Sequence, residues 1–399
     1  MNNETPTNGG DPWEAEMSRE FDKRVRDLHE APLTFDNVKD KAMTIQRNRR
    51  IAIAGGILAA AAVVVPVAII AGNSLGDSDE IPPASTSPSP TQATDSNDPT
   101  PTEPPVGTIG VSYLEGSTWH RTDGSTVELD LTYYSAVELG DQLVATNNAE
   151  GKLNVDVLEA DGSVADSFET FSYPVANADH TTVAYVATDG TLMTRWADDE
   201  VAMGDGFVDG DSVAAITGGP NCYEEVNGCV VYVNHGDGSA PELLDSHGIR
   251  DIVTPAAIKV NDVSPAGLVA AQTDSTDTGS CSAVVDQSDA GSVFETCDAT
   301  LFAFSPDDAL ISGSSSYLDG IGLGYVTILD ATTGDEMARF EPTDGFVRES
   351  VWEDATHLLV NTFEDGEWRI YRLGVDGSSE QLLSSTEGED LTPAFSLLR

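Results

Sequence analysis

Residues 304–312 read FSPDDALIS, in which a turn of Ser, Pro and Asp is followed at once by a short apolar run. The run ALIS is one copy of a tetrad that recurs from residue 109 onward and has the character of a buried strand. The seven copies are IGVS (109–112), QLVA (142–145), TVAY (182–185), SVAA (212–215), GLVA (267–270), ALIS (309–312) and HLLV (357–360). Their mean period is about 41 residues, which is typical of folds built from one small unit per repeat.

A further strand and a tight turn follow each tetrad. The turns are TDGS (122–125), ADGS (160–163), ADDE (197–200), GDGS (236–239), SDAG (288–291), TTGD (332–335) and VDGS (375–378). Asp-Gly between two extended runs predicts a hairpin, because both residues accept the positive φ that such a turn requires. Seven such units predict an all-β fold over residues 109–399, a β-propeller of about seven four-stranded blades.

The turn that opens the first quoted stretch, Phe304-Ser305-Pro306-Asp307-Asp308, resembles a known blade motif. It is similar to the F-S-P-D-G opening of blades in TolB-type and WD-repeat-like propellers, where an inner strand turns sharply into the second strand. Val263-Ser264-Pro265-Ala266-Gly267 looks like a second copy, and Asn177-Ala178-Asp179-His180 occupies the same place in another repeat. No Trp-Asp dipeptide ends the blades. The resemblance therefore implies the architecture and no particular activity.

The two ends of the predicted propeller complement each other. Thr392-Pro393-Ala394-Phe395-Ser396 matches the inner strand of a blade, whereas the domain begins at Ile109 with a second strand. We therefore expect the two ends to share one blade. Such closure removes the unpaired strand edges that an open ring would leave.

Acidic residues dominate the chain after residue 72. The whole sequence has 68 Asp and Glu against 19 Lys and Arg, a net charge of −49, and 58 of these acids but only 10 of the bases follow residue 72. Nucleic acids and anionic lipids are bound by neutralising phosphates with Lys and Arg, so we exclude a nucleic-acid partner for this part. Solubility in a salty or extracellular setting is the simpler explanation of the charge, and calcium or a cationic partner is the functional alternative.

Residues 51–72, IAIAGGILAAAAVVVPVAIIAG, contain no charged or strongly polar side chain. At about 1.5 Å per residue they would form roughly 33 Å of helix, which matches the thickness of a bilayer. Three arginines lie just before the stretch and three acids soon after it: Arg47, Arg49, Arg50, Asp77, Asp79 and Glu80. The sequence therefore predicts a single-pass cell-membrane protein with a cytoplasmic N-terminus and an extracellular C-terminal domain. A cleaved signal peptide is the alternative, but its n-region would be 50 residues long and no A-x-A site follows.

Two segments flank the predicted transmembrane helix. Residues 1–50 are a predicted cytoplasmic tail, partly helical, with a helix start at Asp11-Pro12-Trp13-Glu14. Such a tail could grip a cytoplasmic protein as the tail of an anti-sigma factor does, although it lacks the Cys residues of the zinc type. Residues 73–108 hold eight prolines among Ser, Thr, Asp and Glu, which predicts a disordered, extended stalk.

The four cysteines all lie in the predicted propeller, in two local pairs. Cys222 is close in sequence to Cys229, and Cys281 to Cys297, with each pair centred on a predicted hairpin. An even count in an oxidising compartment favours disulfides, and pairing by proximity is the simplest of three connectivities. We predict structural staples for long blade insertions.

We predict no catalytic, cofactor-binding or metal-binding residue. Asp boxes and a G-x-S-x-G elbow are absent. Five histidines are scattered without metal-ligand spacing: His120, His180, His235, His247 and His357. Two groups of acids, Asp198-Asp199-Glu200 and Asp209 with Asp211, match no complete calcium loop, so calcium is left open as the one cofactor. A glycosidase needs only two carboxylates at the right separation, which 58 acids do not exclude.

Taken together, the sequence predicts a membrane-anchored propeller outside the cytoplasm. It would bind a protein, glycan or small ligand on one face of the ring, where the loops converge, as an interaction module of the cell envelope. The layout of tail, span, stalk and propeller resembles that of actinobacterial surface proteins. Enzymatic activity is not favoured. The alternatives are a carbohydrate-active hydrolase of the cell surface and a sensor or anti-sigma-like protein that passes binding to the cytoplasmic tail.

Overall fold

The computed structural model describes residues 108–149, 152–197, 199–219, 222, 228–288, 291–318, 320–383, 386–387 and 389–398. The predicted tail (1–50), transmembrane helix (51–72) and stalk, up to residue 107, lie outside the described residues. Among the residues that are described, no helix is long and apolar enough to cross a membrane. These residues form 29 β-strands in seven antiparallel sheets. The prediction of an all-β propeller with seven blades is confirmed.

The first three blades follow one another along the chain. Blade 1 consists of β1 (Tyr113–Glu115), β2 (Thr118–His120) and β3 (Thr126–Glu128), with β29 (Phe395–Leu397) as its innermost strand. Blade 2 consists of β4 (Ser135–Leu139), β5 (Gln142–Ala149), β6 (Lys152–Leu158) and β7 (Val164–Thr170). Blade 3 consists of β8 (Val175–Ala176), β9 (Val183–Val186), β10 (Leu192–Trp196) and β11 (Asp199–Gly204).

The remaining four blades repeat the same order. Blade 4 consists of β12 (Ser212–Thr217), β13 (Val230–Asn234), β14 (Glu242–Asp245) and β15 (Arg250–Ile252). Blade 5 consists of β16 (Lys259–Val263), β17 (Leu268–Thr276), β18 (Gly279–Asp286) and β19 (Gly291–Thr296). Blade 6 consists of β20 (Ala299–Phe304), β21 (Leu310–Ser315), β22 (Val326–Asp330) and β23 (Glu336–Phe340). Blade 7 consists of β24 (Gly345–Trp352), β25 (His357–Glu364), β26 (Glu367–Gly374) and β27 (Ser379–Gln381), and β28 (Thr386–Glu387) also pairs with β26.

The first strand of each sheet lies towards the centre of the ring. Contacts run from β4 to β8, β12, β16, β20, β24 and finally β29. Because neighbouring strands of a blade are antiparallel and follow in sequence order, their connections alternate between two ends of the ring. We call the end with the first-to-second and third-to-fourth connections the turn face. The end with the second-to-third and blade-to-blade connections is the loop face.

The core lies between neighbouring blades. Val186 and Leu192 of blade 3 pack in one buried cluster with Val231 and Val233 of blade 4. The same arrangement recurs round the ring because each sheet turns apolar residues to both of its neighbours. Burial of one such side chain stabilises the fold by about 1.5–3 kcal/mol, so the sheets depend on the closed ring for their stability.

Both ends of the propeller contribute to blade 1, as predicted. Tyr113 pairs with Leu397, and Glu115 pairs with Phe395. The prediction that a strand begins at Ile109 was four residues early. The tetrad IGVS is not a strand, because β29 pairs only with residues 113–115, and beyond that ladder the Leu398 amide donates a single hydrogen bond to the Ser112 carbonyl, at 3.0 Å.

In blade 4, the recurring tetrad and the recurring turn each lie one strand earlier in the sheet than expected from the other blades. Five tetrads lie in second strands, as expected, but SVAA lies in β12, the innermost strand. The turn GDGS likewise joins the second strand to the third, whereas the other six turns join the third strand to the fourth. A long connection, residues 218–229, separates β12 from β13 and accounts for the slip.

The Ser-Pro turns have the geometry that the resemblance implies. The Ser305 amide donates to the Leu310 carbonyl at 2.9 Å, and the Leu310 amide donates back to Ser305 Oγ at 3.0 Å. The Ser264 hydroxyl accepts from the Leu268 amide in the same way. Counted from Ser305, the fourth residue of its turn is Asp308. Its φ is positive, at 63°, and the position therefore suits Asp, Asn or Gly.

The structure pairs Cys222 with Cys229 and Cys281 with Cys297. The first pair lies within the long connection of blade 4, with its Cα atoms 4.5 Å apart. The second pair joins β18 to the residue that follows β19, with a Cα separation of 4.0 Å. Each disulfide therefore links two residues of one blade, the first in blade 4 and the second in blade 5.

Candidate functional site

Exposed apolar side chains are concentrated on the loop face. Thirteen large apolar side chains are exposed in the described part of the chain, and eight of them lie in loop-face connections. These eight are Leu131, Tyr134, Tyr173, Val208, Ile258, Leu318, Ile321 and Leu391. Four others lie on outermost strands, and only Ile249 lies in a turn-face connection. Single exposed apolar residues are normal, but their segregation on one face makes that face the candidate interaction surface.

Six of the eight residues occupy five successive blade-to-blade connections, and four of the six lie in the first three of these connections. Leu391 precedes blade 1, Leu131 and Tyr134 lie between blades 1 and 2, and Tyr173 lies between blades 2 and 3. We call these four residues the apolar arc. Their exposed fractions are 72%, 50%, 63% and 50%, respectively.

A two-residue loop joins the first two of these connections. Gly116 and Ser117 connect β1 to β2 on the loop face. The Gly116 amide donates to the Ala394 carbonyl at 3.2 Å, and the Leu129 amide donates to the Ser117 carbonyl at 2.8 Å. The connections on either side are thus tied together. Because the loop is so short, it leaves Leu391 and Leu131 uncovered.

Buried neighbours hold Leu131 and Tyr134 in solvent. Leu129 and Tyr133 are buried on either side of Leu131, and the Tyr133 hydroxyl donates to Asp156 Oδ2 at 2.9 Å. Burial and this hydrogen bond raise the pKa of the Tyr133 phenol, so it stays protonated and donates. The Tyr134 amide donates to the Thr146 carbonyl at 3.0 Å. Exposure of the two apolar side chains is therefore fixed by the fold.

Tyr173 and Leu391 are held in a similar way. Ser172 and Pro174 are buried on either side of Tyr173, and the Val186 amide donates to Ser172 Oγ at 3.0 Å. Near Leu391, the carbonyl of Glu389 accepts from Trp368 Nε1 at 3.2 Å and from the Thr392 amide at 3.1 Å. The apolar arc is accordingly a preformed surface on anchored loops.

The loop face is acidic. Its connections contain no Lys or Arg. Twelve exposed acids lie in the described parts of these connections: Asp130, Asp189, Asp205, Asp209, Asp237, Asp277, Asp298, Glu341, Asp344, Asp365, Glu389 and Asp390. The turn face also carries many acids, so charge alone does not distinguish the faces. The combination of acids with exposed apolar residues does.

A polar cavity of about 580 Å³ lies on the turn face, where the chain enters the propeller. Arg372 Nε contacts Glu353 Oε2 at 2.5 Å, and Arg372 Nη2 contacts Glu353 Oε1 at 2.7 Å. Arg372 also donates to the Thr108 carbonyl at 2.7 Å, and Glu353 Oε1 accepts from the Gly110 amide at 2.6 Å. Both charged side chains are thus engaged in holding residues 108–110, which favours a structural role for this cavity.

Asp354 and His357 line the same cavity. His357 Nδ1 lies 2.9 Å from Asp354 Oδ2. Partial burial alone would raise the pKa of Asp354, but hydrogen bonds from His357 and Thr356 outweigh it and bring the pKa down to about 2. Asp354 is therefore an ionised hydrogen-bond acceptor in a turn.

Of the acids singled out in the sequence, Asp211 stabilises the loop that carries it, whereas Glu200 lies in β11. Asp211 is buried, and its carboxylate accepts from the amides of Val208 and Gly236, both at 3.0 Å. Glu200 accepts from the Tyr185 hydroxyl at 3.0 Å, and Asp198 lies outside the described residues. Within the described ranges, no group of three or more His, Cys, Asp or Glu side chains is placed to hold a metal ion. Calcium stays the functional alternative to solubility for these acids.

His235 lies in a cluster that the sequence did not reveal. Its Nδ1 is 3.4 Å from Asp211 Oδ1, and its Nε2 is 3.5 Å from Glu242 Oε1. The other histidines are separate: His120 stacks on Tyr113, His180 and His247 lie in turns, and His357 pairs with Asp354. The apolar arc was also missed. The only signal for it was the mixed run LDLTYY at 129–134, which fits neither strand nor turn.

No protein family model matches the chain, and no curated protein matches it either. Among solved structures, it is similar to the β-propeller domain of Cps50 (Swd1) from Myceliophteria thermophila. The two chains are 10% identical, the similarity covers 64% of this chain and 87% of that one, and the TM-score is 0.46. A similarity at this level carries no functional inference, and the fold assignment rests on the strand pairing described above.

Proposed function

We propose that the protein is a membrane-anchored propeller outside the cytoplasm that acts as a protein-binding module of the cell envelope. The apolar arc is the observation that carries this proposal. Tyr and other large side chains on a rigid surface are typical of the centres of protein interfaces, where they supply contact area at low entropic cost. A seven-bladed ring is a suitable scaffold, because its loops are anchored in a closed fold.

One sequence feature and one structural feature support the proposed location. Residues 51–72 have the length and composition of a membrane span, with arginines on the N-terminal side. The pairing of all four cysteines suits an oxidising compartment. Protease added to intact cells should then release a propeller fragment by cleaving the stalk. Protection of that fragment until the cells are lysed would contradict the location.

Site-specific photocrosslinking in the native host tests the binding function. A photoreactive residue at Tyr134 should capture a distinct partner protein, identified by mass spectrometry. The matched control is the same residue at Ile249, which is similarly exposed, at 61%, but lies on the turn face. Absence of a specific adduct at Tyr134, or the same adducts at both positions, would show that the apolar arc is not the binding surface.

A further inference from the structure

The charge around the apolar arc restricts what it can bind. Asp130 adjoins Leu131, and Glu389 and Asp390 precede Leu391. The three connections of the arc and the Gly116-Ser117 loop contain no Lys or Arg. Bases near the loop face, such as Lys152, lie in strands. Exposed apolar groups are thus bordered by carboxylates alone within these connections.

Several classes of binding partner are poorly suited to a surface of exposed apolar side chains bordered by carboxylates. Nucleic acids and anionic membranes would be repelled by the carboxylates. A second copy of this chain would bring a like-charged surface, and like charges opposed across an interface disfavour association. A small ligand needs a concave site, whereas the four residues of the arc are at least 50% exposed and the described cavity lies on the turn face.

We infer that the apolar arc binds a cationic amphipathic polypeptide segment, in which Lys or Arg residues stand next to large apolar side chains. The inference rests on the proposed protein-binding function and names the chemistry of its partner. Apolar side chains of the segment would pack on Tyr134, Leu131 and Leu391, and its cations would face Asp130, Glu389 and Asp390. Since the loops are preformed, little ordering on the propeller side opposes binding.

Selection from a random 12-residue peptide display library against the immobilised full-length chain tests the inference. Enriched peptides should combine Lys or Arg with Leu, Ile, Phe, Tyr or Trp. Their affinity should fall as salt is raised from about 0.05 to 0.5 M, because ions screen exposed charges. Enrichment of acidic or uncharged peptides, or no enrichment, would overturn the inference.

Variants locate the binding site. For one synthesised peptide, Tyr134→Ser combined with Leu391→Ser should raise Kd by about tenfold or more, as expected for interface anchors. Asp130→Asn combined with Asp390→Asn should raise Kd and weaken its salt dependence. The control Ile249→Ser should leave Kd within about twofold. Equal effects of Ile249→Ser and the arc variants would overturn the inference, and thermal unfolding of each variant establishes that it is folded.

Failure of the inference and failure of the proposed function can be told apart. If photocrosslinking at Tyr134 captures a partner whose contacting segment lacks Lys and Arg, the inference is wrong and the binding function stands. If Tyr134 captures no partner in the host, the apolar arc is not the binding surface, and the proposed function loses the observation that carries it, whatever the peptides do.

Discussion

Tyr133 and Tyr134 are neighbours in sequence and have opposite environments. The first is buried and bound to Asp156, and the second is held in solvent. Nothing local in the sequence distinguishes them, because the partner that fixes Tyr133 is 23 residues away, in β6. At the scale of the residue, therefore, the site could not have been predicted from the sequence, although tight-turn residues such as those of the Asp-Gly hairpins could.

Tyr133→Phe should destabilise the protein by about 1–3 kcal/mol, because it removes a hydrogen-bond donor from the buried carboxylate of Asp156. Urea unfolding followed by fluorescence measures the effect. The matched control is Tyr134→Phe, which should change the stability by less than about 0.5 kcal/mol since this side chain is exposed. Equal losses in the two variants would contradict the anchoring role of Tyr133.

Asp354 predicts a pH-dependent contribution to stability. Its pKa in the folded protein, about 2, lies below the ordinary value of 3.8, so its ionised form stabilises the fold above about pH 4. That contribution is lost as the pH falls from about 4 to 2. Asp354→Asn should therefore lower Tm at pH 5, and the difference from the parent protein should shrink towards pH 2. Asp277→Asn removes the same charge from an exposed loop; if its pH profile were the same, the hydrogen bonds of Asp354 would not be the cause.

At the scale of the element, repeats made most strands predictable. In five of the seven blades the recurring apolar tetrad lies in the second strand, and the Asp-Gly turns mark where hairpins close. Blade 4 departs from the pattern because residues 218–229 form a long connection fastened by the Cys222–Cys229 disulfide. An apolar tetrad fits the innermost and the second strand equally well, so position in the sheet could not be read from composition there.

Phe395→Ala should destabilise the propeller by about 3–5 kcal/mol, because Phe395 is buried in the strand that closes the ring. Chemical unfolding measures the loss. Ser396→Ala, in the same strand and less buried, keeps the backbone pairing with Leu114 and should cost less than about 0.5 kcal/mol. A small effect of Phe395→Ala would mean that the ring does not depend on β29.

At the scale of the whole molecule, ring closure and the acidic excess could be predicted from the sequence, each for a different reason. Closure was predictable because the two ends of the propeller carry complementary parts of one repeat. The segregation of apolar side chains on the loop face was not, because it depends on which connections are short and which neighbours bury their anchors. The acidic excess was evident from composition alone, and the electrostatic repulsion that it causes involves all seven blades.

Added salt should raise the Tm of the protein. The 58 acids and 10 bases after residue 72 repel one another on balance, and ions screen that repulsion. Each kcal/mol of screened repulsion corresponds to about 2–4 °C in Tm for a domain of roughly this size. NaCl and KCl should act alike between about 0.05 and 0.5 M. A Tm that falls with salt would show that the ion pairs dominate, and a larger rise with CaCl₂ at equal ionic strength would support calcium binding.

The bonds from Arg372 and Glu353 to residues 108–110 have a mechanical consequence. A force applied to the chain ahead of Thr108 would act first on the hydrogen bonds to Arg372 and Glu353 of blade 7, and only then on β1 of blade 1. The ladder between β1 and β29, which has three residue pairs, would bear that force only after these bonds had broken. Pulled from that end, the propeller would resist as a closed ring, with its apolar arc on the side away from the load.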